Sequence, residues 1–303
     1  GSEFPHYRED WVFRMTYNFN LKYFIEINGA YNGSEKFSEK YRFDFFPSAA
    51  IGWDIAQEKF MKNIEWINRF KIRGSYGYIG NDNISGRWLY MSQWATGGVG
   101  GYTGTASLGL YNGTKSPYTW YYERTIGNPE LHWEKVRKAN IGIDYRLFNG
   151  IIEGSLDIFN DYRTNILIDG GGRAIPSYFG GSAPTANLGK VKVNGYEFEI
   201  KLAKSFANGF RPYLDFNMSH AVDKIIERDD PVLYEDYQKQ AGYSIGQYRS
   251  HVLCGYYNTW NEVYGSTPVK TNDKNKLPGN FNLIDFNGDG IVDDYDVIPN
   301  GFP

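Results

Sequence analysis

The chain has 303 residues and a formal net charge of −3, which gives no electrostatic basis for a nucleic-acid partner. Its 26 Tyr, 20 Phe, 8 Trp and 35 Gly favour an all-β architecture with many turns. The single cysteine, Cys254, excludes an internal disulfide framework, and no run approaches the roughly 18 apolar residues of a transmembrane helix. Gly1–Phe4 resembles a vector-derived tail, so we expect residues 1–9 to be a tag or loop remnant that replaces the natural N-terminus.

The segment Trp11–Tyr31 shows the clearest structural pattern, a hairpin. Apolar and polar residues alternate in both arms, and a tight turn near Asn18–Asn20 joins them. Each arm has about the 9–11 residues that a tilted membrane-crossing strand needs. Aromatic residues lie near the strand ends, as in a membrane girdle. The same pattern suits a hairpin with one face on a soluble core, so the hairpin alone leaves both structures open.

Six further strands follow with the same alternation. They are expected around Phe45–Ile55, Phe70–Tyr78, Ile141–Leu147, Ile152–Ile158, Tyr196–Leu202 and Leu214–Met218. Between them lie a connection over Ala56–Asn68 that could hold one short helix, a long excursion over 79–136, and a tight Asn-Gly turn at Phe148–Gly150. From Ala221 onward the chain is expected to be mostly loop-like.

The connections alternate between short and long along the whole chain. A sandwich gives no reason for this regularity, whereas a bacterial outer-membrane barrel has short periplasmic turns and long external loops. We therefore predict an antiparallel transmembrane β-barrel portion over residues 10–220 and an extracellular loop region over 221–303. Charged residues on the polar strand faces would line the lumen. These are Arg14, Glu26, Lys71, Arg73, Asp144, Glu153, Glu197 and Glu199.

About eight strands are visible, and an open sheet of this kind would leave two unpaired edges, which lipid does not tolerate. With loops this long, we expect the chain to be a piece of a larger barrel.

Several short motifs occur in a fixed order. They are Tyr31–Glu35, Phe45–Ser48 with Gly52–Trp53, Glu58–Met61, Lys71–Gly77, Gly80–Asn81, Asn128–Lys135, Leu147–Gly150, Pro278–Gly279 and Asp285–Gly290. In this order and spacing they resemble the barrel half of SusC/RagA-type TonB-linked outer-membrane transporters. The resemblance covers nearly the whole chain after its first few residues.

This resemblance implies a plugged barrel of about 22 strands that imports glycan or peptide fragments. It also implies a SusD-type surface lipoprotein as a lid over the extracellular mouth, and TonB as the periplasmic partner that drives uptake. The chain departs from the complete pattern because the plug, the TonB-contacting segment and the last strands are not in it. We therefore expect that this chain alone does not transport.

The sharpest local motif is the acidic stretch Asp285–Asp296, which matches D-x-[DN]-x-[DN]-G with Asp in place of Glu at the twelfth position. Ca²⁺ takes six to eight oxygen ligands. The predicted ligands are Asp285, Asn287, Asp289, the Ile291 carbonyl, Asp293 and Asp296. An ion-free loop of Asx-turns explains the same residues. Strand parity would place this loop outside the cell.

Aromatic residues in the long excursion form a second candidate site, for stacking on sugar rings or gripping a peptide. They are Trp88, Tyr90, Trp94, Trp120, Tyr121 and Tyr122. Girdle or loop packing explains any one of them equally simply.

No catalytic motif is found: the four histidines are scattered, and there is no Gly-x-Ser-x-Gly elbow and no phosphate loop. We therefore predict no enzymatic activity. A soluble β-rich module for glycan binding or adhesion is the alternative to the transporter.

Overall fold

The computed structural model describes residues 6–61, 63–84, 86–96, 121–176, 178 and 183–301. Most of the described chain is strand. The strands are β1 (Arg8–Phe19), β2 (Tyr23–Ser34), β3 (Phe43–Asp54), β4 (Ile67–Asn81), β5 (Gln93–Thr96), β6 (Tyr121–Thr125), β7 (Glu134–Leu147), β8 (Ile152–Ile168), β9 (Ala186–Ala203), β10 (Tyr213–Glu227), β11 (Arg249–Ser250), β12 (Leu253–Tyr256), β13 (Phe281–Leu283) and β14 (Ile298–Pro299). Among the described residues, no helix is both long and apolar enough to cross a bilayer.

Eight strands form one sheet in the order β1-β2-β3-β4-β7-β8-β9-β10. Each strand from β1 to β9 pairs antiparallel with its neighbour in this order. The predicted all-β antiparallel fold is therefore confirmed. The chain divides into two compact units, Gly1–Val222 and Asp223–Pro303.

Two kinds of connection alternate along the sheet. The short connections lie at one end of the strands, at residues 20–22, 55–66, 148–151 and 204–212, and we call this the short-turn end. The longer ones lie at the other end, at residues 35–42, 82–133 and 169–185, and we call this the long-loop end. Tight backbone geometry makes the short turns possible, because Asn20, Leu21, Phe148 and Asn149 all adopt positive φ.

Three expectations for the connections need correction. The 55–66 connection holds two single 3-10 turns, Ile55–Gln57 and Lys59–Met61, and β4 already begins at Ile67. The long excursion contains the β5–β6 hairpin.

The region after residue 221 is also more ordered than expected. It contains the end of β10, the β11–β14 and β12–β13 pairs, and one short helix, α1 (Trp260–Gly265). These strands have two to four residues each, which is too short for an alternation pattern to show.

A compact apolar cluster, the long-loop core, packs at the long-loop end of the first unit. It consists of the buried residues Phe37, Phe46, Ile84, Leu131 and Trp133. Phe46 is the residue that β3 contributes, and Gly80 lies beneath it, because a Cβ at Gly80 would come within 2.1 Å of the Phe46 ring. Loops from three connections therefore fold onto the sheet there.

Candidate functional site

One face of the eight-stranded sheet is apolar, and its side chains are exposed. Strand pairing places one residue from each of seven strands in a single row across this face: Tyr17, Ile25, Ile51, Gly74, Ile141, Ile158 and Tyr196. Ile51, Ile141 and Ile158 are 67%, 66% and 61% exposed. Burying one such side chain is worth about 1.5–3 kcal/mol, so a continuous row left in water is costly. This face is built to be covered by an apolar surrounding.

Aromatic rings border the apolar face at both ends of the strands. At the long-loop end, Phe13 stacks with Phe45 and Tyr31 with Phe43, at centroid distances of 6.5 and 5.2 Å. At the short-turn end, Tyr23 stacks with Trp53 and Trp66 with Phe148, at 6.5 and 5.4 Å.

The spacing of these aromatic borders fits a bilayer. Trp11 and Phe19 mark the two ends of the apolar face on β1, about 27 Å apart at ~3.4 Å per residue. A strand tilt of about 40° reduces this to roughly 21 Å across the membrane, close to the ~25 Å apolar band of an outer-membrane barrel.

The opposite face of the sheet is polar and cross-linked by ion pairs. Arg73 of β4 donates from Nε to Asp144 Oδ1 at 3.0 Å and from Nη2 to Asp157 Oδ2 at 2.5 Å. Asn140 donates to the other oxygen of Asp157 at 3.0 Å. Asp157 lies on β8, so the Arg73 side chain crosses β7 to reach it. Gly142 makes room, because a Cβ there would lie 2.8 Å from the guanidinium carbon.

The residues predicted to line a lumen lie on this polar face. Arg14 pairs with Glu26 at 2.8 Å, and the Lys71 ammonium lies 4.2 Å from the centre of the Phe24 ring. Glu197 is directly opposite Asp157 in the ladder. Sequence reasoning missed Asn140 and Asp157. Their polar-face position was readable, but their contact with Arg73 depends on the pairing of β4 with β7 across a long loop.

A groove of about 600 Å³ lies on the polar face at the short-turn end, and we call it the short-turn groove. Its lining includes Phe24, Asp54, Arg69, Arg146, Glu153 and Glu199. Glu153 accepts from Arg146 Nε at 2.8 Å, and Glu199 from Lys201 Nζ at 2.5 Å. The groove is thus lined by charges of both signs. The sequence patterns did not indicate it, because each strand contributes only one to three of its residues.

The motif Asn128–Lys135 ties the long loops together. Leu131 and Trp133 are 0% and 1% exposed, and Trp133 Nε1 donates to the Arg42 carbonyl at 3.0 Å. The Asn128 amide donates to the Thr185 carbonyl at 2.9 Å. Three separate connections therefore meet at this motif, which explains its residue types as packing and capping groups.

The structure spreads the aromatic candidates along the excursion. Trp88 has a positive φ of 56° and its ring lies 4.8 Å from the Arg87 guanidinium carbon. Tyr90 is half-buried, and Trp94 is 66% exposed on β5. Tyr121 and Tyr122 belong to β6 by their backbone, and Trp120 lies outside the described residues. Their role in ligand binding stays a prediction.

The acidic loop Asp285–Asp296 is held by its own side chains. Asp296 is fully buried and accepts from the backbone N–H groups of Phe286, Asn287 and Asp293. Both oxygens of Asp285 accept from the backbone N–H groups of glycines, at 2.7 and 2.8 Å.

Asp293 has a second role in this loop. Lys270 donates to it at 2.9 Å, and this bond, with the Tyr295 amide, holds the pKa of Asp293 below its ordinary value. Across the described part of the chain, no three His, Cys, Asp or Glu side chains are grouped to hold a metal. Calcium binding by the predicted set, which includes Asn287, Asp289 and Ile291, stays a prediction.

The two-faced wall and its alternating connections agree with one protein family. The model of the TonB dependent receptor-like β-barrel family matches residues 8–296. The chain therefore belongs to this family, and the resemblance noted in the sequence is confirmed.

Relatives known by sequence carry the same kind of name. TonB-dependent receptor P3 of Formosa agariphila is 28% identical over 291 residues, covering 92% of this chain and 27% of the relative. TonB-dependent receptor SusC of Bacteroides thetaiotaomicron is 26% identical over 295 residues, covering 93% and 27%. The chain thus spans about a quarter of the length of these relatives.

Solved structures show the same fold. The RagAB peptide importer in its closed-closed state aligns over 97% of this chain and 30% of its own, with a TM-score of 0.71 and 17% identity. A structure of the RagAB peptide transporter aligns over 82% of this chain and 26% of its own, with a TM-score of 0.66 and 20% identity. The likeness extends to the long loops, since it covers nearly the whole chain in the first case.

Proposed function

We propose that this chain forms part of the barrel wall of a TonB-dependent transporter in a bacterial outer membrane, which imports oligomeric nutrients. The observation that carries the proposal is the sheet with one exposed apolar face and one ion-paired polar face. Lipid covers the first, and the second lines an aqueous lumen. The named relatives support this role, although the chain spans only about a quarter of their length.

The proposed nutrients are glycan or peptide fragments. SusC and the RagAB peptide importer stand for these two possibilities among the relatives and structural neighbours. In this proposal a SusD-type lipoprotein covers the long-loop end, and TonB acts from the periplasm through segments outside this chain. Aromatic loop residues such as Trp94 are proposed ligand contacts, and the loop Asp285–Asp296 is a proposed Ca²⁺ site on the external side.

The transport proposal is tested in the producing bacterium. We would delete the gene of the full-length receptor and measure growth on a peptide digest or on starch oligosaccharides as sole carbon source. We expect growth on one of them to fail, to return with the receptor gene, and to fail again when TonB is removed. Unchanged growth on both sources, or growth restored without TonB, would contradict the proposal.

A further inference from the structure

We propose that the short-turn groove binds an extended peptide that presents an acidic side chain to Arg69. This inference deepens the proposed transport function and rests on it, because it assigns the peptide class to a lumen-facing site. It depends on charge, on register and on the dimensions of the groove.

The charges of the groove are unbalanced at Arg69. The ladder sets Arg69 of β4 directly opposite Arg146 of β7, and like charges in directly opposed positions are destabilising. Arg146 is neutralised by Glu153, and Lys201 by Glu199. Within the described residues, the guanidinium of Arg69 has neither a hydrogen-bond nor an ion-pair partner. A carboxylate from a ligand would relieve this repulsion, and guanidinium groups bind carboxylates with paired hydrogen bonds.

The length of the groove suits an extended chain. The groove crosses from Phe24 on β2 to Glu199 on β9, which is five strand spacings of about 4.8 Å, or roughly 24 Å. An extended peptide of about seven residues covers that distance at ~3.4 Å per residue.

The chemistry along the groove favours a peptide over an acidic sugar chain. Leu21 and Phe24 make one end apolar, and Gln57 and Asn68 offer amide groups beside Arg69. Phe24 lies two strand spacings from Arg69, about 10 Å, which corresponds to three peptide residues. The expected ligand therefore carries an apolar side chain three positions from its acidic one. A uronic-acid oligomer has no group for the apolar end.

The test measures peptide binding by the purified full-length receptor in detergent. The probes are Ac-Leu-Ser-Gly-Glu-Ser-Gly-Ser-NH₂ and the same peptide with Gln in place of Glu, with isothermal calorimetry as the readout. We expect the Glu peptide to bind at least about tenfold more tightly than the Gln peptide. Arg69→Gln removes this difference, whereas Arg69→Lys keeps part of it.

Arg14→Gln is the matched control, because Arg14 lies on the same polar face, outside the groove lining, and pairs with Glu26. It should leave the preference for the Glu peptide intact. Equal binding of both peptides, or a preference that survives Arg69→Gln, overturns the inference. So does tetragalacturonate binding as tightly as the Glu peptide, or a groove already filled by a segment of the receptor that blocks both peptides. Failure of the growth test with intact Glu-peptide binding would refute the transport function instead.

Discussion

Replacing Gly142 by alanine should loosen the ion-pair network of the polar face. A Cβ at this position would lie 2.5 Å from Asp157 Oδ1 and 2.8 Å from the Arg73 guanidinium carbon, so the Arg73–Asp157 contact must open. A hydrogen bond to a charged group contributes about 1.5–3 kcal/mol, and partial solvent exposure of Arg73 lowers this value. The small gain from replacing glycine in a strand offsets a further part. We expect a net loss of about 1–2 kcal/mol.

The assay is hydrogen exchange with mass spectrometry on the full-length receptor. A loss of 1–2 kcal/mol corresponds to roughly 5–30-fold faster exchange where amides open locally. This acceleration should be confined to β7 and β8 around Gly142. Gly74→Ala is the matched control in the neighbouring strand, because a Cβ there meets atoms only at 3.9 and 4.0 Å. It should not accelerate exchange.

A double variant isolates the cause of the change. If the alanine acts by displacing Arg73, then Gly142→Ala should add little to an Arg73→Ala receptor. Exchange in Gly142→Ala that equals the unaltered receptor, or an undiminished effect in the Arg73→Ala background, would refute the reasoning.

Three further predictions concern the long loops and the second unit. Trp133→Ala should cost about 3–5 kcal/mol locally and expose the long-loop core to limited proteolysis, whereas Trp94→Ala, at an exposed site, should change stability by less than ~0.5 kcal/mol. The pKa of Asp293 is lowered in the folded state, so its stabilising contribution is present above its ordinary value of 3.8 and is lost as the pH falls through the lower folded value; hydrogen exchange at residues 285–296 should accelerate in that range, and Lys270→Met should reduce the pH effect. If the proposed calcium site exists, Ca²⁺ should raise the melting temperature and Asp285→Ala should abolish the increase, whereas equal melting in Ca²⁺ and in chelator argues for an ion-free loop.

The alternation of side chains predicted the central strands because each strand has one apolar and one polar face. It predicted their ends less well. β1 extends back to Arg8 and β2 forward to Ser34, where polar residues continue the ladder without alternation. The pairs β11–β14 and β12–β13 are too short to show a period.

The polar network and the groove could not be predicted from sequence patterns alone. Arg73 contacts Asp157 only because β4 pairs with β7 across residues 82–133, and no local rule specifies that pairing. The same holds for the opposition of Arg69 and Arg146. The motif around Trp133 was visible in the sequence, but its packing role required the positions of three loops.

The orientation of the sheet in a membrane is the central claim, and lipid quenching tests it most directly. We would place a single cysteine at Ile141 or at the adjacent Asn140 of the full-length receptor, in a background with the native exposed cysteine changed by Cys254→Ser. Each protein is labelled with a bimane fluorophore and reconstituted in vesicles of brominated phosphatidylcholine. The account predicts strong quenching at position 141 and little at position 140. Equal quenching at both positions, or quenching at 140 alone, would contradict it.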